Sequence, residues 1–362
     1  MKNKFQIFIN IFFFTLLFLL ILNILISVTW KYYNNFKYSN NNPFPEIVRS
    51  NFELNDKDQS ILHINTHKMK YYYKSFVGPL PDNFVSKYVN FNKSSGRKTY
   101  NNYTNCEKNI VFFGGSTTFG WLSTDEKTIP SFFSKNLATE NKNYCVFNFG
   151  SPWFYSKQEN NYLIDLIERN TIEPDIAIFI DGVNERCNGF VYDKNLREQF
   201  DEIIVDHRTE IVMKKFLPFV TSLPIYQLLD RVFKKKHSQM MVLSENTNCS
   251  KKELKDLFQS RLEMRLKICK NYQIECVSFL QPFGAVNGKT YPVSKKFKNQ
   301  HVKLLKVFKD LPDNLILDIS SALNNDNNKY SYVDALHYSH FANDLISKEI
   351  IYNLKLLKKI NN

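Results

Sequence analysis

The pattern of apolar and polar positions divides the chain into an apolar N-terminal stretch, a polar segment and a long alternating region. From residue 109 onward, short apolar runs alternate with longer amphipathic segments. The apolar runs predict buried strands and the amphipathic segments predict helices. The predicted strands are 109–115, 144–149, 175–181, 275–281 and 314–319. The predicted helices are 128–139, 156–169, 251–272, 295–309 and about 341–358.

This alternation predicts a three-layer α/β/α domain at 109–362, built on a parallel five-stranded sheet. About 90 residues separate the third and fourth strands, which is too many for a plain crossover. We therefore expect a helical insertion at about 186–272, with the apolar segment 211–233 as a cap helix packed on the core rather than on a membrane surface. The spacing of Ser156 and Glu159 predicts a capping box at the start of one helix.

The N-terminal stretch has the length and composition of a membrane anchor. Residues 5–28 carry no charge and would form a helix about 36 Å long, enough to cross a bilayer. Lysines precede this stretch and aromatic residues follow it, as at a membrane interface. A cleaved signal peptide is the alternative, but the apolar region is long and no small-x-small cleavage site follows. We expect an uncleaved anchor at 1–30, a tether and N-terminal extension at 31–108, and a catalytic domain outside the cytoplasm.

The formal net charge of +13 favours anionic partners such as phospholipid head groups or acidic glycans. The lysines are scattered, however, and the chain has no zinc-finger spacing or aromatic–basic RNA motif. Nucleic acid is therefore not an expected partner.

Six cysteines suit an extracytoplasmic location. None has CxxC spacing, so neither a metal site nor a redox motif is expected. Fifteen pairings are possible. The hypothesis is three disulfides, suggested by Cys106 with Cys145, Cys187 with Cys249, and Cys269 with Cys276.

Polar residues follow three of the predicted strands. The first strand ends in two glycines, and Ser116 follows at once. The second strand is followed by Gly150 and Trp153, and the third by Gly182 and Asn184. Because the carboxyl ends of parallel strands share one edge of a sheet, these residues are expected to converge at a ligand site.

Asp334 and His337 precede the last predicted helix. A nucleophilic serine needs a general base, a group that orients the base, and donors for the developing oxyanion. His337 is the candidate base and Asp334 its partner. The Asn184 amide and backbone N–H groups near Ser116 and Gly150 are candidate donors. Each residue alone also has a structural interpretation in a turn or beside a helix, whereas the ordered set is more specific.

These segments together resemble the SGNH/GDSL hydrolase family over roughly residues 105–358. The matching segments are Gly114-Gly115-Ser116 with Thr117 to Gly120, Asn148-Phe149-Gly150, Gly182-Val183-Asn184, and Asp334 to His337. The resemblance implies a flavodoxin-like fold and a triad of Ser116, His337 and Asp334. It also implies an oxyanion hole formed by Asn184 and a backbone amide of the second segment. No metal or organic cofactor is implied.

Two positions depart from the family pattern. Gly115 stands where the family has an aspartate, and Trp153 stands where a glycine is expected. Gly150 and Trp153 are therefore both candidates for the backbone donor. Trp153 is also expected to wall the acyl pocket and to favour short acyl groups. Gly115, Gly182 and Gln281, which ends the fourth strand, are possible pocket residues.

The sequence thus predicts a membrane-anchored, extracytoplasmic serine esterase that works through an acyl-enzyme. Its expected substrate is an acylated small molecule, glycan or lipid, with O-deacetylation of an envelope polysaccharide as the leading candidate. Two alternatives stay open. One is an O-acyltransferase that uses the same residues, and the other is a non-catalytic envelope binding or assembly protein.

Overall fold

A computed structural model describes residues 2–40, 44, 46–100, 106–140, 142–187, 250–287, 295–324 and 331–360. The chain divides into two compact units. In its described part, the first unit is one helix, α1 (Lys2–Asn40), which is longer than the expected anchor. Its stretch Asn10–Thr29 is long and apolar enough to cross a membrane by length and composition, with a mean hydropathy of 2.8.

The second unit begins with a folded N-terminal extension. In chain order its elements are α2 (Glu46–Arg49), α3 (Asp56–His67), the hairpin of β1 (Tyr71–Lys74) and β2 (Gly78–Pro81), and the short hairpin of β3 (Phe91–Asn92) and β4 (Gly96–Arg97). Val48 and Leu62 are buried in this extension. Within the segment 31–108, predicted as a tether and N-terminal extension, the chain is folded from α2 onward, because the Asn-rich sequence still contains apolar side chains that pack on the domain.

The rest of the second unit alternates strands and helices as the sequence predicts. In chain order the elements are β5 (Lys108–Gly114), α4 (Ser116–Phe119), α5 (Ile129–Thr139), β6 (Tyr144–Asn148), α6 (Ser156–Glu168), β7 (Ile176–Asp181), α7 (Lys251–Asn271), β8 (Glu275–Leu280), α8 (Gly284–Asn287), α9 (Lys295–Lys309), β9 (Leu317–Asp318) and α10 (His340–Leu356). The cap helix predicted at 211–233 lies outside the described residues.

The strands form a sheet in the order β3-β4-β6-β5-β7-β8-β9. All its pairings are parallel except that of β3 with β4. The five predicted strands have the flavodoxin-like order 2-1-3-4-5, so the predicted fold class is confirmed. The sheet has seven strands rather than five, because the hairpin β3–β4 joins the outer edge of β6 at Asn148.

Helices cover both faces of this sheet, as the continuous apolar strands require. Ile110 and Phe112 of β5 face a cluster formed with α5 and α10. Val111 and Phe113 face the opposite cluster, formed with α6 and the end of α7. The chain runs from β5 to its neighbour β6 and then crosses back to β7 on the other side of β5, so the carboxyl end of β5 lies at the topological switch point.

Two of the three hypothesised disulfides are present among the described residues. The Cα atoms are 5.4 Å apart in Cys106–Cys145 and 6.0 Å apart in Cys269–Cys276, both within the range of a disulfide. Cys187 is also disulfide-bonded. The remaining cysteine, at position 249, lies outside the described residues.

The capping box predicted at Ser156 and Glu159 is wrong. The backbone N–H and the hydroxyl of Ser156 donate to the carboxylate of Glu185, at 2.7 and 2.9 Å. Glu159 forms an ion pair with Arg265 at 3.1 Å instead. Both side chains bind partners that are distant in the sequence, and a rule based on local spacing cannot predict such partners.

Candidate active site

Three side chains from distant parts of the chain meet beyond the carboxyl end of β5. Ser116 is the first residue of α4, the short turn of helix that follows this strand. Its Oγ lies 2.8 Å from Nε2 of His337, and Nδ1 of His337 lies 2.7 Å from Oδ2 of Asp334. The sequence predicts these three residues as a set, and the structure brings them together. In this order, the imidazole can take the hydroxyl proton while the carboxylate orients the ring.

The loop before α10 fixes the carboxylate. Oδ1 of Asp334 accepts the backbone N–H groups of Leu336 and His337, at 2.8 and 2.7 Å. Asp334 is therefore a turn residue and the partner of His337 at once. Burial by itself would raise the pKa of the Asp334 carboxyl, but His337 and these two donors together hold that pKa below its ordinary value. The carboxylate is consequently ionised when the imidazole needs an acceptor.

Asn184 reaches the serine turn from the end of β7. A Cβ atom on Gly115 would lie 2.3 Å from Asn184 Nδ2, so the amide can approach only because position 115 is glycine. The same Nδ2 donates to the carbonyl oxygen of Phe154 at 2.9 Å. An amide nitrogen carries two hydrogens, so one donor remains for an oxyanion. Gly182 is buried in the turn that precedes Asn184 and packs against the side chains of Leu280 and Phe283.

The two candidate backbone donors differ in their surroundings. The N–H of Gly150 donates to Oδ1 of Asn148 at 3.0 Å, and a Cβ atom there would lie 2.4 Å from the backbone nitrogen of Phe119. Gly150 is thus a packing residue, and its assignment as a donor is wrong. Trp153 has φ +68°, a left-handed conformation that favours glycine. Its N–H has no acceptor among the residues described.

Asn148 links the end of β6 to the serine turn. Its side chain is fully buried, and its Nδ2 donates to the carbonyl oxygen of Thr118 at 3.0 Å. Since its Oδ1 accepts from Gly150, one amide joins both segments. Sequence reasoning included Asn148 in a motif but assigned it no role.

Arg97, from β4, holds the other end of the serine turn and was missed by the sequence reasoning. Its fully buried guanidinium donates to the carbonyl oxygens of Phe119, Gly120 and Ser123, at 2.7, 2.6 and 2.6 Å. Its Nε forms an ion pair with Asp125 at 3.1 Å. The carbonyl groups at the end of a helix lack partners within the helix, so Arg97 stabilises α4 from the N-terminal extension.

The loop that carries Asn184 is held from behind by α7. Glu185, whose side chain is buried, accepts from Nη1 of Arg261 at 3.1 Å. The same guanidinium donates to the carbonyl oxygens of Arg186 and Cys187, at 2.9 and 3.3 Å. Each of the three residues that follow Asn184 therefore accepts a hydrogen bond from the same arginine.

Gln281 lies beneath the site rather than in a pocket. It is 2 % exposed, and its Oε1 accepts from the Thr117 hydroxyl at 2.6 Å and the Tyr338 hydroxyl at 3.2 Å. These two residues directly follow the serine and the histidine of the triad. Among the possible pocket residues, Gln281 therefore has a packing role, because its side chain supports the neighbours of Ser116 and His337.

Aromatic rings border the site on the side of the N-terminal extension. The ring centroid of Trp121 lies 6.3 Å from that of His337 and 6.2 Å from that of Trp153. Trp153 in turn contacts Tyr71, with centroids 5.3 Å apart, and Trp121 contacts His67, at 5.2 Å. Both indoles are half-buried. The extension thus supplies part of the wall beside the triad.

The site holds a hydroxyl, an imidazole, a carboxylate and amide donors, which are the groups used in acyl transfer. Over the described parts of the chain, no group of three or more His, Cys, Asp and Glu side chains is placed to hold a metal ion.

No family model and no curated protein matches this sequence. Solved structures similar to the chain include a lipase/acylhydrolase from Enterococcus faecalis, at 17 % identity and a TM-score of 0.40, covering 68 % of this chain and 95 % of that one. A GDSL-like lipase from Bacteroides thetaiotaomicron has 13 % identity and a TM-score of 0.36, covering 69 % and 89 %. A mutant of an acetyl-xylooligosaccharide esterase from Geobacillus Stearmophilus has 13 % identity and a TM-score of 0.39, covering 69 % and 95 %. At such scores, the chemistry of this site has to be established from its own residues.

Proposed function

We propose that this chain is a serine esterase that hydrolyses carboxylic esters through an acyl-enzyme. The observation that carries the proposal is the unbroken series of contacts from Ser116 Oγ to His337 and from His337 to Asp334, at 2.8 and 2.7 Å. These three residues lie at the switch point of the sheet, where open α/β folds bind their ligands, and the Asn184 amide lies beside them.

In this mechanism, Ser116 Oγ attacks the ester carbonyl carbon while His337 Nε2 takes the hydroxyl proton. The resulting oxyanion accepts hydrogen bonds from Asn184 Nδ2 and the backbone N–H of Trp153. His337 then protonates the alcohol oxygen as the carbon–oxygen bond breaks, which leaves the acyl group on Ser116. Water attacks this acyl-enzyme with His337 as the base, and the carboxylic acid leaves as the serine hydroxyl is restored.

The proposal extends to an enzyme anchored in a membrane by residues 5–28, with its site outside the cytoplasm. The apolar stretch of α1 supports the anchor, and the disulfides support an oxidising compartment. The acylated glycans and lipids of the cell envelope lie within reach of such a site. We assign O-deacetylation of an envelope polysaccharide as the reaction.

Labelling with a fluorophosphonate tests the nucleophile. The full-length chain in detergent is expected to label and to cleave a short-chain aryl ester, whereas Ser116→Ala does neither. Ser75→Ala, at an exposed serine outside the site, serves as the matched control and behaves as the parent. If Ser116→Ala labels and hydrolyses like the parent, the proposal is wrong.

Product analysis distinguishes hydrolysis from the two alternatives. With an acyl donor and a glycan acceptor present, an esterase releases free acid, and an O-acyltransferase yields acylated glycan from the same acyl-enzyme. A non-catalytic binding protein yields neither product.

A further inference from the structure

We propose that Trp121 and His67 form a subsite for the alcohol part of the ester, and that this alcohol is a sugar ring. The inference rests on the proposed esterase function and assigns the residues that hold the sugar part of its substrate.

The mechanism places the leaving alcohol beside His337. The imidazolium protonates the alcohol oxygen as the ester bond breaks, so that oxygen lies within hydrogen-bond reach of Nε2. The Trp121 ring is the neighbour of this imidazole, with centroids 6.3 Å apart and planes inclined at 33°. The backbone N–H of Trp121 donates to the carbonyl oxygen of Ser116 at 2.8 Å, which fixes the indole relative to the nucleophile. An alcohol of ring size therefore lies against Trp121.

His67 continues this surface outward from α3 and adds a hydrogen-bond acceptor. Its ring meets Trp121 edge-on, with planes at 72° and centroids 5.2 Å apart. Nδ1 of His67 lies 2.8 Å from the carbonyl oxygen of His63. Because a carbonyl oxygen only accepts, Nδ1 carries the hydrogen, and Nε2 of the neutral ring is an acceptor. The side chain is exposed, and Nε2 has no partner in the described part of the chain.

A half-buried indole next to an exposed acceptor matches the chemistry of a pyranose. The C–H groups of one sugar face pack against the electron-rich face of an indole. The hydroxyl groups at the rim of the sugar can donate to His67 Nε2. A lipid alcohol would cover the same nitrogen without pairing it, and covering an unpaired polar atom is unfavourable. The pair therefore favours a sugar over a lipid.

Trp121 also adjoins the second indole of the site. Its ring centroid lies 6.2 Å from that of Trp153, whose backbone N–H is the proposed oxyanion donor, and 5.2 Å from that of His67. The proposed wall of the acyl pocket and the proposed sugar subsite are thus both next to Trp121.

Two acetate esters isolate the alcohol part of the substrate. A peracetylated monosaccharide and ethyl acetate give the same acetyl-enzyme, so a difference between them lies in the alcohol. The quantity measured is the ratio of kcat/KM for the sugar acetate to kcat/KM for ethyl acetate, with the full-length chain in detergent. Trp121→Ala and His67→Ala are each expected to lower this ratio about tenfold, whereas Trp121→Phe retains most of it. Lys68→Ala, at the exposed neighbour of His67, is the matched control and leaves the ratio unchanged.

An unchanged ratio in His67→Ala overturns the subsite, and this exposed position keeps the test valid if Trp121→Ala does not fold. If Trp121→Ala lowers kcat/KM equally for both esters, Trp121 has only a packing role, and the inference is likewise overturned. Failure of the esterase proposal looks different: the parent would cleave neither ester and would not label with a fluorophosphonate. That result would overturn both proposals.

Discussion

Arg261 and Glu185 form a buried ion pair at 3.1 Å, one residue away from the amide donor Asn184. The same arginine donates to the backbone of the next residue in the loop, at 2.9 Å. These bonds fix the backbone on the far side of Asn184, while the carbonyl oxygen of Phe154 fixes its amide. Arg261 is therefore a positioning residue for the proposed oxyanion hole, although it lies on a helix more than seventy residues away along the chain.

Replacing Arg261 by glutamine is expected to lower kcat for a short aryl ester about tenfold to a hundredfold. The reason is that a displaced oxyanion donor weakens the transition state more than the ground state, so KM changes less than kcat. Steady-state kinetics well below the melting temperature measure this split, because an unpaired buried Glu185 also destabilises the fold. Lys252→Gln, at an exposed position on the same helix, is the control. A change in KM alone would contradict the positioning role.

Asp334→Asn tests the carboxylate by its dependence on pH. The pKa of Asp334 is lower in the folded chain than its ordinary value of about 4. Its ionised form therefore stabilises the fold above that value, and this stabilisation is lost as the pH falls through the lowered pKa. The difference in melting temperature between parent and variant should be largest near pH 7 and should shrink below about pH 4. At neutral pH, kcat should fall by roughly three to four orders of magnitude. A difference that stays constant from neutral to acid pH would show that the carboxylate charge contributes nothing.

Trp153→Gly tests the wall of the acyl pocket. The left-handed backbone at this position favours glycine, so the substitution removes backbone strain together with the indole. We expect the variant to accept longer acyl chains and the parent to prefer short ones. Relative kcat/KM over a series of aryl esters from acetate to octanoate measures this preference. Trp153→Phe keeps a ring and should keep the preference, whereas an unchanged profile in Trp153→Gly would exclude the wall.

The disulfides should contribute to stability according to the length of chain they close. Cys106–Cys145 spans 39 residues and Cys269–Cys276 spans 7. Loop entropy alone gives about 4 and about 2 kcal/mol respectively. Paired Cys→Ala variants, unfolded in urea, should therefore lose more stability at the first bridge than at the second. Thiol counting with and without reductant checks the pairing itself, and reactive thiols throughout the unreduced protein would contradict it.

The triad could be predicted because each member adjoins a recognisable element end. Ser116 follows an apolar strand that stops at two glycines, and His337 precedes an amphipathic helix. Arg97 and Asn148 could not be assigned roles, because their partners near Ser116 are backbone carbonyl groups, which leave no mark in a sequence. The choice between the two backbone donors required geometry: one N–H already has an acceptor, and only Trp153 leaves its N–H available.

The accuracy of the predicted boundaries depends on how strong the apolar pattern is. In the alternating region, the predicted strands and helices lie within two residues of their observed ends, except for the short last strand. Burial of the strands on both faces gives them a continuous apolar sequence that is easily recognised. The helices of the extension were not predicted, because its buried residues, such as Val48 and Leu62, are isolated within a polar, Asn-rich sequence. Its contribution to the sheet is two short strands, too short to produce a periodic pattern.

The bonds of Arg97 to the serine turn determine the shortest chain that can hold the proposed site. A gene trimmed to begin at the first strand of the alternating region would still encode the serine, the histidine and the aspartate. It would nevertheless leave three carbonyl oxygens and a buried carboxylate at that turn without their cation. A shortened or grafted form of this fold therefore has to include the preceding hairpin, because the turn that carries Ser116, the proposed nucleophile, is held by a residue that precedes it in the chain.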